Sequence, residues 1–397
     1  MHNDLQLSGS VLSTTGEFDS IETEWKELYG RTECNSVFMT FEWLSQWWKH
    51  FGQQRGLAIV IVRNHGSLVA LAPLCISRQG VLRFRRLGFL GDTLVGSDYL
   101  NFLVVDSYKA EALRCVCNCI IGIRDQWDYI ELADFLANSD VLQTFHDVAK
   151  GSGMAINPKP STICPYVALP GTVDQYWASL RSRLRKNLRY HMRLLQRQAK
   201  VAFVKVDAAS EIEQAFDDVT QLHEARFRAR HRSSTFLAPE VKTFHRTAAK
   251  SLAAAGLARI YFLELDGKRI AGMYGFSNGR TFSLYQSGSD PAYGRFSVGT
   301  LLISSVMQAL IEEGHSEFDF LRGQEAYKQL WATGERELRT VSFFDKRGAS
   351  RAAYAAQILR GCLRECKAAI LNCRKSRSDN QSLRLGSSEN SATPAAL

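Results

Sequence analysis

No apolar run in this chain reaches the ~18–20 residues that a helix needs to span a bilayer. The first residues, MHNDLQLSGSVLSTTGEFDS, have neither a basic start nor an apolar core, so no secretory signal is expected. Cysteine is odd in number at nine, which argues against a disulfide framework and for reduced thiols in the cytoplasm. The run CVCNC places Cys115, Cys117 and Cys119 on a helical pattern with no second Cys or His pair nearby. Zinc sites need such a pair, so these thiols are expected to fill core and no metal is expected. There is no Gly-x-Ser-x-Gly elbow, no paired-cysteine redox motif and no RNA-binding module. Acid is missing altogether between Ala178 and Lys200, where eight cations stand.

What is present is ordinary globular material with a basic excess. The chain has 397 residues, 45% hydrophobic and 22% charged, long enough for two domains. The net charge of +9 favours anionic partners. Two stretches carry the excess. In YWASLRSRLRKNLRYHMRLLQRQAK, Leu180, Leu184, Leu188 and Leu195 form an apolar stripe, while Arg181, Arg185, Arg189, Arg193 and Arg197 recur every four residues as a basic ridge. The second lies beyond Arg351, where YAAQILRGCLRECKAAILNCRK reads as an amphipathic helix with Ala355, Ile358 and Cys362 on its apolar side. That helix is expected either to dock on its own domain or to lie on an anionic membrane.

One pattern occurs twice. LAIVIVRNHGSLVALAPLCIS reads as a hairpin around Asn64-His65-Gly66, followed by a strand at DYLNFLVV, a helix near Ala110–Ile123 and a strand at WDYIEL. ARIYFLELDGKRIAGMYGFS repeats the hairpin around Asp266-Gly267, then come the strand RTFSLYQSGSD, the helix VGTLLISSVMQALIEEG and the strand EFDFL. The two sets stand roughly 190–200 residues apart, as a duplicated unit does. The expected organisation is a flexible segment at 1–20, a first domain at 21–160, a second at 161–350, a basic helix at 351–375 and a disordered tail at 376–397.

Three stretches carry a family resemblance: WASLRSRLRKNLRYHMRLLQ, SLYQSGSDPAYGRFSVGTLL and FDFLRGQEAYKQLW. The order of elements resembles the GNAT acyltransferase fold, the duplication resembles its FemAB-like branch, and the motifs resemble CelD-like acetyltransferases. The resemblance implies an α/β fold of two tandem GNAT-like units, with mixed twisted sheets flanked by helices. It implies a phosphate cradle at Arg295, Ser297, Val298, Gly299 and Thr300, where the helix after a strand offers free amides to an anion. Val298 stands where the family places its first glycine. Amide formation also needs a base for the ammonium and an acid for the leaving thiolate. The resemblance offers Glu325 for the first and Tyr327 for the second, in EAYK at the turn from strand to helix. Lys328 would bind a phosphate or carboxylate, or orient Glu325. Asp319 would line the cleft or partner a buried arginine. His223 matches a position on the acceptor side, though a lone helical His is more often structural. Tyr285 and Asp290 would flank the cleft, and Arg185 and Arg189 of the ridge would meet substrate anions.

The expected activity is transfer of an acyl group from acyl-CoA or acyl carrier protein to an amine of an envelope saccharide or sugar nucleotide. The alternatives are N-acylation of a lipid long-chain base at the membrane, and a non-catalytic role beside a polysaccharide synthase. Nucleic acid is set aside, because the coiled-coil arm of the tRNA-gripping relatives is missing. The expected location is the cytoplasm, with a peripheral association at the inner membrane face as the variant.

Overall fold

The computed structural model describes residues 6–92 and 94–363. Its two halves repeat one another strand for strand. In the first, Leu7–Leu12, Ile59–Asn64, Ser67–Ala72 and Leu103–Val104 form an antiparallel sheet in that order. The helix Lys109–Gly122 follows, then the strand Tyr129–Leu136. In the second, Val201–Val206, Ala258–Leu265, Lys268–Asn278 and Thr281–Ser289 pair in the same order, followed by the helix Val298–Glu312 and the strand Glu317–Asp319. The hairpins correspond down to the turn. His65 and Gly66 have φ of 46° and 85°, Asp266 and Gly267 of 48° and 78°. Positive φ at both central residues matches the turn to the twist of its strands, and the glycine makes it cheap.

The halves are not separate bodies. Gly334–Phe344, the last strand, pairs antiparallel with Thr162–Ala168 of its own half, with Tyr129–Leu136 of the first half and with Ala155–Pro158. One twelve-stranded sheet therefore crosses the expected boundary near residue 160. The reason is physical: an edge strand left open would expose a row of unpaired amides and carbonyls.

The amino-terminal expectation is also corrected. Residues 7–12, taken as part of a flexible segment, pair register for register with Ile59–Asn64. The helix Thr15–Ser20 follows, with Thr14 and Glu17 forming a reciprocal capping box. Gly9 of that first strand packs against the sulfurs of Cys115 and Cys119, which accordingly fill space, and Cys117 is buried. The DYLNFLVV strand shortens to Leu103–Val104 because Asp98 and Tyr99 are drawn into the site described below. The carboxy-terminal helix is described for residues 348–363; the remainder of the expected 351–375 helix and the 376–397 tail lie outside the described residues. Among the described residues no helix is long and apolar enough to cross a membrane.

Candidate active site

The strands Thr281–Ser289 and Glu317–Asp319 run parallel and pair over three positions only, Thr281 to Ser283 with Glu317 to Asp319. Beyond Ser283 they part and leave a wedge. One side of the wedge is the core under the helix Val298–Glu312, where Phe282 and Phe318 pack. On the other side the helix Ile212–Arg228 presses so close to the sheet that a Cβ on Gly288 would collide with the backbone of His223.

The cradle is built at the end of Thr281–Ser289. Asp290 accepts a bond from the Ala292 amide at 3.0 Å, starting the short 3-10 turn Pro291–Phe296, and pairs with Lys268 at 2.8 Å. Its carboxylate is thus committed to the turn. Ser297 sits in the left-handed region with φ 53°, and its side chain does not cap the following helix. Its carbonyl accepts the Thr300 and Leu301 amides instead. The amides of Val298 and Gly299 open the helix without intrahelical partners. Val298 is buried, whereas a Cβ added to Gly299 meets nothing within 4 Å. Arg295 folds over the Phe296 ring. Beside the cradle, the basic helix Ser182–Gln196 packs against Val298–Glu312 and the 3-10 turn. Arg185 donates to the Trp177 carbonyl at 3.1 Å and Arg189 stacks over the Trp177 ring, at the mouth of a cleft of about 380 Å³ between the two helices.

After Asp319 the chain forms a loop rather than the expected helix, ending in the single 3-10 turn Lys328–Leu330. Lys328 explains why. Its buried ammonium donates to the Arg322 carbonyl at 2.7 Å and the Leu321 carbonyl at 3.3 Å, and pairs with Glu325 at 2.9 Å. The loop is wrapped around one cation, which leaves Lys328 no free donor for a carrier but does fix Glu325. Gly323, at φ 114°, has its Cβ direction filled by the Glu325 carboxylate. Glu325 and Tyr327 are left partly exposed. Burial, helped by the negative charge of Glu325, pushes the Tyr327 phenol up to about 12, against the pull of Arg226. Arg226 comes from the helix Ile212–Arg228; burial lowers its pKa, while Tyr327 and Glu325 act to retain its charge. Its Nε is buried and has no acceptor among the described residues.

His223, one turn away on that helix, is fully buried, and burial holds it down to about 4. At neutral pH its ring is uncharged. The hydrogen-bond network assigns Nδ1–H to the Ser287 carbonyl at 3.0 Å, with Nε2 accepting from the Ser234 hydroxyl at 3.1 Å. Both nitrogens are therefore engaged, Nδ1 in holding the helix to the sheet and Nε2 in holding the loop that follows the helix. Tyr285 is likewise engaged, its hydroxyl donating to the Val95 carbonyl.

Beneath the wedge lies a network that the sequence did not announce. Asp98, fully buried, accepts from the backbone amide of Arg322 at 2.8 Å and from its Nε; the same guanidinium pairs with Asp134 at 2.8 Å and donates to the Ser97 carbonyl at 2.8 Å. Burial raises Asp98 to about 6 despite the arginine. Asp319 accepts from the Tyr99 hydroxyl and the Leu321 amide, each at 2.6 Å, and stands 3.5 Å from Arg336. Burial lifts it to about 7, with the Tyr99 and Leu321 bonds and Arg336 opposing. The two readings of Asp319 hold together: it partners an arginine, and it lines a cavity of about 480 Å³ between the halves, with Ser36, Asp106, Asp140, Ser283 and Arg336. Arg322 was visible in the FLRG stretch; Asp98, Arg226 and Arg336 gave no local signal.

The raised pKa of Asp319 makes a prediction. A carboxyl whose folded pKa lies above its unfolded value stabilises the fold fully below the unfolded pKa and loses that contribution as pH rises through the folded one. Asp319→Asn mimics the protonated form. It should therefore be more stable than the wild type by about 2–4 kcal/mol near pH 8, and the gap should shrink toward about pH 5. Denaturant melts of both proteins at the two pH values give the comparison; a gap that does not change with pH would place the Asp319 pKa outside that window.

Comparison with known proteins now adds to this geometry. Residues 182–329 match the family model of the acetyltransferase (GNAT) domain, a span running from the basic helix through the cradle to the Glu325–Lys328 loop. Over that span, somewhat more than a third of the chain, the sequence is similar to GNAT acetyltransferase domains, which supports an acyltransferase. Its fold is similar to that of FemX, with TM-score 0.58 and 12% identity over 83% of this chain and 96% of that one. A conserved protein of unknown function from Bacteroides thetaiotaomicron is similar at TM-score 0.54 and 10% identity, over 85% of this chain and 100% of that one. The C-terminal domain (DUF2156) of a protein named for lysylphosphatidylglycerol synthetase, from Agrobacterium fabrum, is similar at TM-score 0.51 and 12% identity, over 86% and 96%. No curated protein sequence matches the chain. At these identities the structural likenesses speak for the fold alone.

Proposed function

We propose that this protein transfers an acyl group from a carrier thioester, acyl-CoA or acyl carrier protein, to an amine borne by an envelope saccharide or a sugar nucleotide. The observation that carries the reading is that Glu325, Tyr327 and Arg226 lie close enough to feel one another's charge, in the span that also holds the proposed cradle. The carrier phosphate sits on the Val298 and Gly299 amides, and its arm lies along the unpaired edge of Thr281–Ser289 beyond Ser283. Glu325, fixed by Lys328, takes the proton of the attacking amine, directly or through water. The new C–N bond forms as the C–S bond breaks, and Tyr327 hands its proton to the departing thiolate. A phenol near 12 is protonated at neutral pH, as an acid must be. Arg226 then stabilises the phenolate that remains.

The second half supplies the chemistry because the first half has filled its own cradle. There Asp106 stands in the turn before the helix Lys109–Gly122 and pairs with Lys109 at 2.9 Å, placing a carboxylate where a phosphate would go. The cavity between the halves suits the acceptor. Glu33, Asp106, Asp140, Glu317 and Asp319 outnumber Lys109 and Arg336 along its wall, which favours an ammonium. Asn35, Asn101 and Asn138 in the same wall offer partners to sugar hydroxyls.

The test is incubation of the protein with acyl-CoA, and separately with acyl carrier protein, against a panel of amino sugars, sugar nucleotides and long-chain bases, read as N-acyl product by mass. Product only with long-chain bases would move the acceptor to the lipid alternative. Failure with every amine under both donors would remove the reading. The cradle has its own prediction. Gly299→Val fills open space at the free amides and should weaken carrier binding roughly tenfold with the melting midpoint unchanged. Unaltered affinity in the folded variant would move the phosphate site, first to the arginines of Ser182–Gln196.

A further inference from the structure

Large aliphatic side chains stand exposed on two elements that touch. The hairpin between the strands Leu74–Gln79 and Phe84–Phe89 turns through Gly80, Val81, Leu82 and Arg83. Val81 is 95% exposed and Leu82 69%. The turn itself needs neither: positive φ at Gly80 and Arg83 and the Arg83 amide on the Gly80 carbonyl at 3.1 Å close it. A turn tip is ordinarily polar, so two adjacent aliphatics there call for a partner.

The helix 348–363 supplies the rest of the surface. The Arg360 guanidinium lies against Gly80, where an added Cβ would collide with it. One face of this helix docks on its own domain: Ala353 and Tyr354 pack with Phe84, Tyr129 and Phe344, and Gln357 meets Asn157 at 3.3 Å. The apolar side expected from the sequence is the other one. Ile358, Leu359 and Leu363 are 43%, 61% and 60% exposed beside the hairpin tip. Arg78 and Arg83 on the hairpin and Arg351 and Arg360 on the helix are exposed, and among the described residues none of the four has a carboxylate partner. Asp125 and Asp128 pair with Arg347 and Arg85.

We propose that this patch docks the protein on an anionic lipid surface, with Val81 and Leu82 entering the headgroup boundary and the four arginines on lipid phosphates. The charge chooses this occupant. A second copy across a two-fold axis would set the same unpaired arginines against one another. A convex apolar tip with a basic rim is what a bilayer interface accepts. The strand Phe84–Phe89 separates the tip from the loop that carries Asp98, a run of about 20 Å at ~3.3 Å per residue. The patch therefore anchors the protein and stands independent of the acceptor assigned above.

The test is sedimentation of the full-length protein with vesicles of equimolar phosphatidylcholine and phosphatidylglycerol, and with phosphatidylcholine alone, at physiological salt. Wild type should pellet with the anionic vesicles and far less with the neutral ones. Val81→Asp combined with Leu82→Asp should cut the bound fraction at least roughly tenfold with an unchanged melting midpoint, since neither side chain supports the fold. Leu359→Asp with Leu363→Asp should weaken binding in the same direction. Leu82→Trp should bind and shift its emission to the blue on anionic vesicles alone. Equal pelleting of the Val81/Leu82 variant, no pelleting of wild type, or an unshifted tryptophan overturns the proposal. So does a solution dimer that the Val81/Leu82 variant dissociates, which would give the patch to a second copy.

Discussion

Tyr327→Phe should lower turnover by roughly 10²-fold or more while leaving carrier affinity nearly unchanged. The phenol is protonated at neutral pH and partly exposed. Phenylalanine keeps the edge-on contact with Phe320, whose ring centroid lies 6.0 Å away, so the loop should survive the change. The loss should then fall on kcat, because the proton is needed only as the thiolate leaves. Single-turnover rates with the carrier pre-bound separate this from slow product release. Full turnover in the variant, with chemistry rate-limiting, takes Tyr327 out of the mechanism. Glu325→Gln should slow the reaction as well, with partial recovery at higher pH if the carboxylate only assists deprotonation of the amine. Lys328 would then matter indirectly: its loss frees the loop and should depress kcat without abolishing binding.

Arg322→Met should cost about 3 kcal/mol of stability. Asp98 is fully buried, and Arg322 supplies its charge partner and two of its hydrogen bonds, one of them from the backbone amide that the variant retains. Removing the guanidinium leaves a buried carboxylate facing Asp134 without a cation between them. The penalty follows the ionisation of Asp98, which loss of the guanidinium pushes above its value of about 6, so it should shrink as pH falls toward 6 and level off below it. Adding Asp98→Asn should return part of the loss. Urea melts of the single and double variants near pH 7 decide the point; additive losses would mean that the two residues act apart.

The network also shows where sequence reasoning stops. The duplicated hairpin–strand–helix–strand order was legible because each piece announces itself locally, through β-branched runs, Asp-Gly and His-Gly turns, and a 3.6-residue apolar period. Glu325 and Tyr327 were legible by family likeness, as part of a short motif. The capping box Thr14-x-x-Glu17 went unread, and it orders part of the segment taken for flexible. The turn after Asp319 was misjudged because a buried lysine overrides helix propensity: the ammonium needs three oxygens, and the loop bends to supply them. Tyr285, Asp290 and His223 were singled out as polar groups near a cleft, and the fold gives each of them a partner that no local spacing foretells.

What the sequence by itself determined is therefore the architecture: two α/β units and a basic helix free of acids. What only the tertiary structure decided is which charges meet. Asp98 and Arg322 are 224 residues apart, Tyr99 and Asp319 are 220 apart, and the sheet that joins the halves brings them into contact. Periodicity reports which side of an element is buried, because burial of a face follows from local spacing. It does not report the partner, because the energy of a buried charge depends on what the rest of the chain places within a few ångströms of it.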